Sequence, residues 1–343
     1  MDKVRRLQKA GEETLLVSIP REYVIHTGIK KGDNVTVSEE ADGSLRVVPA
    51  LRKPKTVKAS IRSDLIDSDD LLSRLLVSCY MLGYDTIELT SRNGIKPARL
   101  NRAGRTVRTL RGLEIVESSE NTLLAQSLID PAKFPVDSLI KRLQLLVSRS
   151  LSGSIESLRG GNPGVLNEMR RTQEDIDELY WLIVRQLLVA LSNREISGRI
   201  GLESPLHTSG DRISAKMIEE IGRVVLELTE DIVSFKEAGM RIESNVISEI
   251  EELAKMARNS FDITMESLLA PDIRTIEKAI QTIGSAQQLE RLVAQDTTEL
   301  GAPDLRRIVL GYGQLARYCG IIVEVSMNRL LRKTSRICVV TSQ

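Results

Sequence analysis

The spacing of apolar residues from about residue 135 onward constrains the fold of this chain more than any other feature. Leu, Ile and Val recur there every three or four positions, which is the period of a helix with one apolar face. Short breaks rich in glycine and proline, as at 160–163 and 301–303, interrupt the pattern. It predicts six long helices whose apolar stripes begin at Val136, Val165, Ile213, Val246, Ile273 and Leu305.

Because the breaks are short, consecutive helices are expected to pack antiparallel. They divide into two groups of three, at about 135–238 and 239–333. Each group is predicted to form a three-helix bundle. The two bundles would make an internal structural repeat whose halves share little sequence identity.

The first 50 residues have a different, strand-rich pattern. An apolar run at 14–20 predicts a strand, and residues 21–28 can form a short helix that stops at a glycine. Asp42 and Gly43 lie between two further strand-like runs, which is a strong hairpin signal. This part is therefore predicted to be a small β domain.

A short basic stretch, LRKPK at 51–55, is predicted to be a linker. Residues 56–130 then alternate between strand-like and helix-like runs, with helices expected within 63–83 and 97–112. The predicted fold is thus multidomain and mainly α, with a β domain and a small α/β segment before the bundles.

The net charge is only +1, but it is unevenly distributed. Residues 1–111 carry a net +7 and residues 112–343 a net −6. This polarity indicates separate roles for the two parts of the chain. Aromatic residues are 3% of the chain, so its core must consist mainly of Leu, Ile and Val.

Several classes of chemistry have no support in the sequence. The cysteines Cys79, Cys319 and Cys338 are scattered, and there are two histidines, so neither a disulfide framework nor a zinc site is expected. The glycine-rich 160–164 lacks the Lys and Ser/Thr of a phosphate-binding loop. We predict no catalytic residues, no cofactor, no membrane insertion and a cytoplasmic location.

Residues 1–50 resemble the AbrB-type swapped-hairpin DNA-binding domain. The matching pattern is RRLQKAGEETLLVSIPREYVIHTGIKKGDNVTV followed by DGSLRVVP. The resemblance implies a homodimer in which hairpins of two chains interleave. It also implies a DNA-binding face, for which the candidates in this sequence are Arg5, Arg6, Lys9 and Arg21.

The six-helix region resembles PhoU, a regulator of phosphate transport built from two three-helix bundles. The resemblance is carried by EDIDELYWLIVRQLL (174–188), DRISAKMIEEIGRV (211–224) and DLRRIVLGYGQLARY (304–318). Together with the N-terminal domain, it indicates an archaeal type of PhoU-family transcriptional regulator.

The sequence departs from that family where multinuclear metal clusters are held. The family often has Glu-x-x-x-Asp in the third helix of each repeat, but this chain has Arg223 at the first Asp position and lacks both acids in 316–320. We therefore expect no metal cluster. Glu219 and Glu220 remain the weak candidates for metal ligands.

Two charged clusters leave alternatives open. The stretch 92–111 has seven basic residues and no acidic one. It is expected to be solvated or acid-paired, or else to support DNA binding or dock onto the acidic bundle. The acidic cluster of Glu174, Asp175, Asp177 and Glu178 is expected to be a solvated face, with a cation or basic partner as the alternative.

These observations favour a DNA-binding transcriptional regulator of phosphate uptake whose bundles sense a signal or bind a partner. The alternative is an adaptor that binds a phosphate transporter or signalling protein and uses its N-terminal domain only to dimerise. A third possibility is metal storage or sensing by the bundles.

Overall fold

The computed structural model describes residues 4–39, 43–50, 56–160, 164–202, 205–239, 244–299, 302–332 and 337–339. The chain divides into two compact units, Met1–Thr56 and Val57–Gln343. The predicted linker at 51–55 and Asp42 of the predicted hairpin turn lie outside the described residues.

The first unit contains two short antiparallel ladders and one helix. Its elements are β1 (Gln8–Lys9), β2 (Leu15–Leu16), α1 (Arg21–Thr27), β3 (Val35–Glu39) and β4 (Leu45–Pro49). The predicted hairpin is present as the β3–β4 pair, and α1 ends at Gly28 with φ of +73°. The strand predicted at 14–20 is wrong in its extent. Only Leu15 and Leu16 pair, because their partner β1 is itself two residues long.

The second unit begins with an α/β segment. Its elements are β5 (Lys58–Arg62), α2 (Asp69–Met81), β6 (Thr86–Thr90), α3 (Pro97–Thr109), β7 (Leu113–Ser118) and β8 (Thr122–Ser127). The sheet order is β5-β6-β8-β7, with β5 parallel to β6 and β8 antiparallel to both of its neighbours. Helices α2 and α3 pack against each other and therefore lie on the same face of the sheet. Ile87 and Leu89 of β6 are buried, while the alternating Thr86, Glu88 and Thr90 are half-buried.

The six predicted long helices are present. The helices after the sheet are α4 (Val136–Arg159), α5 (Val165–Ser192), α6 (Arg194–Arg199), α7 (Pro205–Glu237), α8 (Ser244–Leu269), α9 (Ile273–Glu299) and α10 (Pro303–Leu330). The short α6 has no counterpart in the prediction. Helix α7 also begins eight residues before Ile213, because its first turns lack an apolar stripe but have a proline suited to a helix start.

The apolar stripes of these helices meet in one continuous core. Helices α4, α5 and α7 form the first bundle, and α8, α9 and α10 form the second. The bundles are joined where α7 packs on α10 and α4 packs on α8, and a buried hydrogen bond of 2.8 Å links Tyr312 to Ser154. The fold class predicted from the sequence is confirmed. The domain boundaries within residues 57–343 stay a prediction.

Helix α10 is the one described helix that is long and apolar enough to span a membrane by length and composition alone. More than half of its most apolar window (56%) is buried in the protein, and the core helix of a bundle meets the same criteria.

The turn from α3 into β7 depends on Gly112, which has φ of +74°. A Cβ there would lie 1.8 Å from Cγ1 of Ile129. Gly112→Ala should lower the free energy of unfolding by about 3 kcal/mol, through backbone strain and overpacking. Urea denaturation measures this. The control Gly198→Ala has open space in α6 and should change stability by less than about 0.5 kcal/mol. Equal effects of the two substitutions would contradict the prediction.

Candidate functional site

The four candidate DNA-binding residues all lie on the first unit. Arg5 and Arg6 precede β1, Lys9 lies in β1, and Arg21 is the first residue of α1. All four side chains are exposed, so their charged groups are accessible to a phosphate. Helix α1 is fixed to the hairpin because the Tyr23 hydroxyl donates to the Val47 carbonyl at 2.6 Å.

The net charge of +7 over residues 1–111 is not located in this unit. Residues 1–50 contain eight basic and eight acidic residues, so the net +7 comes from residues 51–111. Attraction to a polyanion must therefore be local in the first unit. Its densest cluster is Arg5, Arg6 and Lys9, with no acidic residue between them.

The first unit also lacks a core of its own. None of its described residues at 4–39 and 43–50 is buried. Large apolar side chains are instead more than half exposed, among them Leu7, Leu15, Leu16, Val17, Ile25, Val37 and Leu45. A unit of this size that buries no side chain cannot offset the entropy of ordering its backbone. This apolar surface is left in contact with solvent in the single chain.

In the first bundle, the carboxylates considered as metal ligands are already bound to cations. Glu219 on α7 has a side chain that is only 2% exposed. One of its oxygens pairs with Arg223 and the other with Lys216, whose Nζ lies at 2.5 Å. Lys216 pairs with Glu220 as well, also at 2.5 Å. Arg223 further contacts Asp177 of α5 at 3.4 Å.

Burial raises the pKa of Asp177 to about 6, against the hydrogen bond from Gln173 and the charge of Arg223, both of which lower it. The Gln173 amide donates to Asp177 at 2.7 Å. The guanidinium of Arg223 is therefore too distant, and too occupied by Glu219, to offset the loss of water around Asp177.

The second bundle also has a buried carboxylate bound by arginine, but this pair joins two helices instead of lying within one. Arg317 on α10 binds both oxygens of Glu290 on α9, at 2.8 and 3.1 Å, and the Glu290 side chain is 8% exposed. Sequence reasoning missed Glu290. The structure shows that Gly313 makes room for this carboxylate, because a Cβ at 313 would overlap Cδ of Glu290.

A buried carboxylate is thus bound by arginine in each bundle. The described residues contain no group of three or more His, Cys, Asp or Glu side chains arranged to hold a metal ion. Glu219 and Glu220 do not fit a metal site, since a multivalent cation would have to displace Arg223 and Lys216.

The basic stretch at 92–111 is partly acid-paired and partly docked onto the first bundle. Arg99 binds Asp69 at 2.5 Å, and Arg102 binds Asp70 at 3.1 Å, both within the α/β segment. Arg111 instead crosses to the acidic cluster on α5. It contacts Asp175 at 3.1 Å and Glu178 at 3.3 Å, so this cluster has a basic partner and is not simply solvated.

Arg185 on α5, which sequence reasoning did not single out, fixes the α/β segment to the bundle. Its side chain is 3% exposed and donates to the carbonyls of Tyr80 and Tyr84 at 2.8 and 2.9 Å. Its guanidinium also lies 5.0 Å from the centre of the Tyr80 ring. The only signal was a charged residue between apolar neighbours, at 182–188.

Comparison with known proteins relates the first bundle to a family. The model of the PhoU domain matches residues 140–232, which begin in α4 and end in α7. The chain is similar to a crystal structure of PhoU from Pseudomonas aeruginosa, with 14% identity and a TM-score of 0.44 over 57% of this chain and 95% of that chain. No curated protein sequence matches the chain. The resemblance to PhoU is thus supported for the first bundle.

Removing the cation from the second-bundle pair should destabilise the protein. Arg317→Met leaves the Glu290 carboxylate buried without its partner, which should cost about 2 kcal/mol of unfolding free energy. Arg149→Met is the control, because its pair with Glu168 is exposed and should contribute less than about 1 kcal/mol. Chemical denaturation of both variants makes the comparison. Equal losses would show that the buried pair has no special role.

The raised pKa of Asp177 predicts a definite pH dependence. Between the ordinary pKa of 3.8 and about 6, the folded protein binds more protons at this group than the unfolded chain, so its contribution to stability falls as pH rises. Asp177→Asn removes the titrating carboxyl group, so the stability of the variant does not fall with pH for this reason. The stability of the variant relative to the parent should rise by about 1–2 kcal/mol between pH 4 and pH 7.

Urea denaturation across this pH range tests the sign. Asp64→Asn is the opposing control, because hydrogen bonds from Ser91 and Arg92 lower the pKa of Asp64. Because the folded pKa of Asp64 lies below 3.8, its variant should lose stability relative to the parent only as pH rises to about 4–5, and should not gain stability at higher pH. A parallel response of the two variants would refute the assignment for Asp177.

Proposed function

We propose that this protein is a cytoplasmic, homodimeric, DNA-binding regulator of phosphate uptake whose PhoU-like bundles sense or transmit the signal. The observation that carries the proposal is the first unit itself. It forms a compact unit of its own, buries none of its described residues, and exposes both apolar and basic side chains.

The exposed apolar side chains support dimerisation through this unit. Hairpins that cannot bury Leu15, Val37 or Leu45 within one chain can bury them against a second copy. Such an arrangement matches the interleaved dimer that the AbrB-type resemblance implies. It would also double each basic cluster, so that two copies of Arg5, Arg6 and Lys9 belong to one DNA-binding surface.

The basic residues support DNA as the partner. Lysine and arginine neutralise phosphates, and arginine can also bind guanine edges through two hydrogen bonds. Arg21 is held at the start of a helix that is itself anchored to the β3–β4 hairpin. A fixed orientation of this kind is what specific recognition requires.

The link to phosphate rests on the match of residues 140–232 to the PhoU domain. The contacts of Arg185 and Arg111 give a route by which a change in the bundles could reach the α/β segment. A ligand or partner that favours one packing of the helices would shift the population of states competent to bind DNA.

DNA binding should depend on salt and on the basic cluster. The variant with Arg5, Arg6 and Lys9 all changed to Ala should bind DNA from its own upstream region more weakly. It should also reduce the slope of log affinity against log salt by up to about 5 for six charges in a dimer. Fluorescence anisotropy over a salt series measures both quantities. The matched control changes the exposed Lys141, Arg142 and Arg291 to Ala.

Equal losses in the two triple variants would contradict a specific role for the first unit. A parent protein without salt-dependent DNA affinity would favour the second candidate, an adaptor that binds a phosphate transporter or signalling protein. The match to the PhoU domain supports that candidate equally. Recovery of a transporter ATPase from cells, with no DNA enrichment, would then identify it.

A further inference from the structure

A cavity of about 150 Å³ lies where the two bundles meet. Four helices line it, two from each bundle: α4 and α7 of the first, and α8 and α10 of the second. Its deepest side chains are all buried and apolar, namely Leu158, Ile232, Phe235, Ile250, Leu305 and Ile308.

The lining determines what the cavity can hold. The inner part of the cavity, surrounded by Leu, Ile and Phe, offers water no hydrogen-bond partners, so it stays dry or takes an apolar guest of about the size of benzene. A chain of about six carbons has a similar volume. An ion or a sugar would lose its hydration there without compensation.

Lys236 is the one polar residue among the described residues that line this cavity, and it lies at the edge of the cavity. Lys236 is exposed, in contrast to its apolar neighbours, so it marks the side that reaches solvent. Its ammonium donates one hydrogen bond of 2.6 Å to the Ser157 carbonyl, which leaves two of its three donors for a ligand. The nearby Glu251 is bound to Arg159 at 3.0 Å and does not form an ion pair with Lys236.

We propose that this cavity binds a small amphiphilic carboxylate, with a tail of about six carbons inside and the carboxylate at Lys236. Because the cavity belongs to both bundles, an occupant would contact both and favour one packing of α7 on α10. Its role as an effector site rests on the proposed function, but the binding itself does not.

Isothermal titration of the full chain with hexanoate tests the proposal, with 1-hexanol as the neutral comparison. Hexanoate should bind one molecule per chain and more tightly than 1-hexanol. Lys236→Met should weaken hexanoate binding by about fivefold and leave 1-hexanol unchanged. The control Lys278→Met removes an exposed charge from α9, which does not line the cavity, and should change neither affinity.

Filling the cavity tests its location. Ile247 is a half-buried lining residue, so Ile247→Phe can project its ring into the cavity with little disturbance of the core. This variant should lose binding of both compounds while keeping the parent's circular dichroism spectrum. Independently, labelled hexanoate should show nuclear Overhauser contacts to the methyl groups of Ile250 and Ile308.

Absence of saturable binding, or of those contacts, would overturn the site. Equal affinity for hexanoate and 1-hexanol would overturn the role of Lys236. These results are separate from the DNA experiment, because hexanoate binding is measured without DNA. A chain that binds hexanoate but no DNA would keep this site and refute the proposed regulator.

Discussion

The burial of six apolar helix stripes in a single core is the constraint on which the rest of the second unit depends. Helices α7 and α10 lie at its centre and run antiparallel, as shown by the ion pairs of Arg329 with Asp211 at one end and Arg307 with Asp231 at the other. Both helices bury residues against their own bundle and against the other bundle. The two bundles therefore share one core, and a change in the packing of either is felt by both.

Charged groups inside this core are retained only where they have partners. Glu219, Glu290 and Asp211 are each almost fully buried, and each is bound by arginine. Breaking such a pair is costly because the remaining charge has no water to replace its partner. Glu219 pairs with Arg223 within α7, the third helix of the first bundle, whereas Glu290 on α9 pairs with Arg317 on α10. In this chain, arginine supplies the positive charge at both places.

The first unit has the opposite character. It forms a compact unit of its own, buries none of its described residues and carries equal numbers of basic and acidic residues in 1–50. Its proposed roles in dimerisation and DNA binding follow from what it exposes, whereas the proposed sensing role of the bundles follows from what they enclose. The α/β segment is fixed to α5 by Arg185 and Arg111, which makes it part of the bundle assembly and not of the N-terminal unit.

The sequence by itself determined the elements whose cause is local. The helical period specified the six long helices. Gly28 indicated the end of α1, and Gly43 indicated the turn of the β3–β4 hairpin. It did not specify the length of β2 or the partners of Arg317, Arg111 and Arg185. Those partners lie 27 to 105 positions away along the chain, and a local pattern contains no information about which distant carboxylate or carbonyl will be brought near. Only the tertiary structure decided that arginines pair with the buried carboxylates, because packing of the shared core sets the distances between the charged groups.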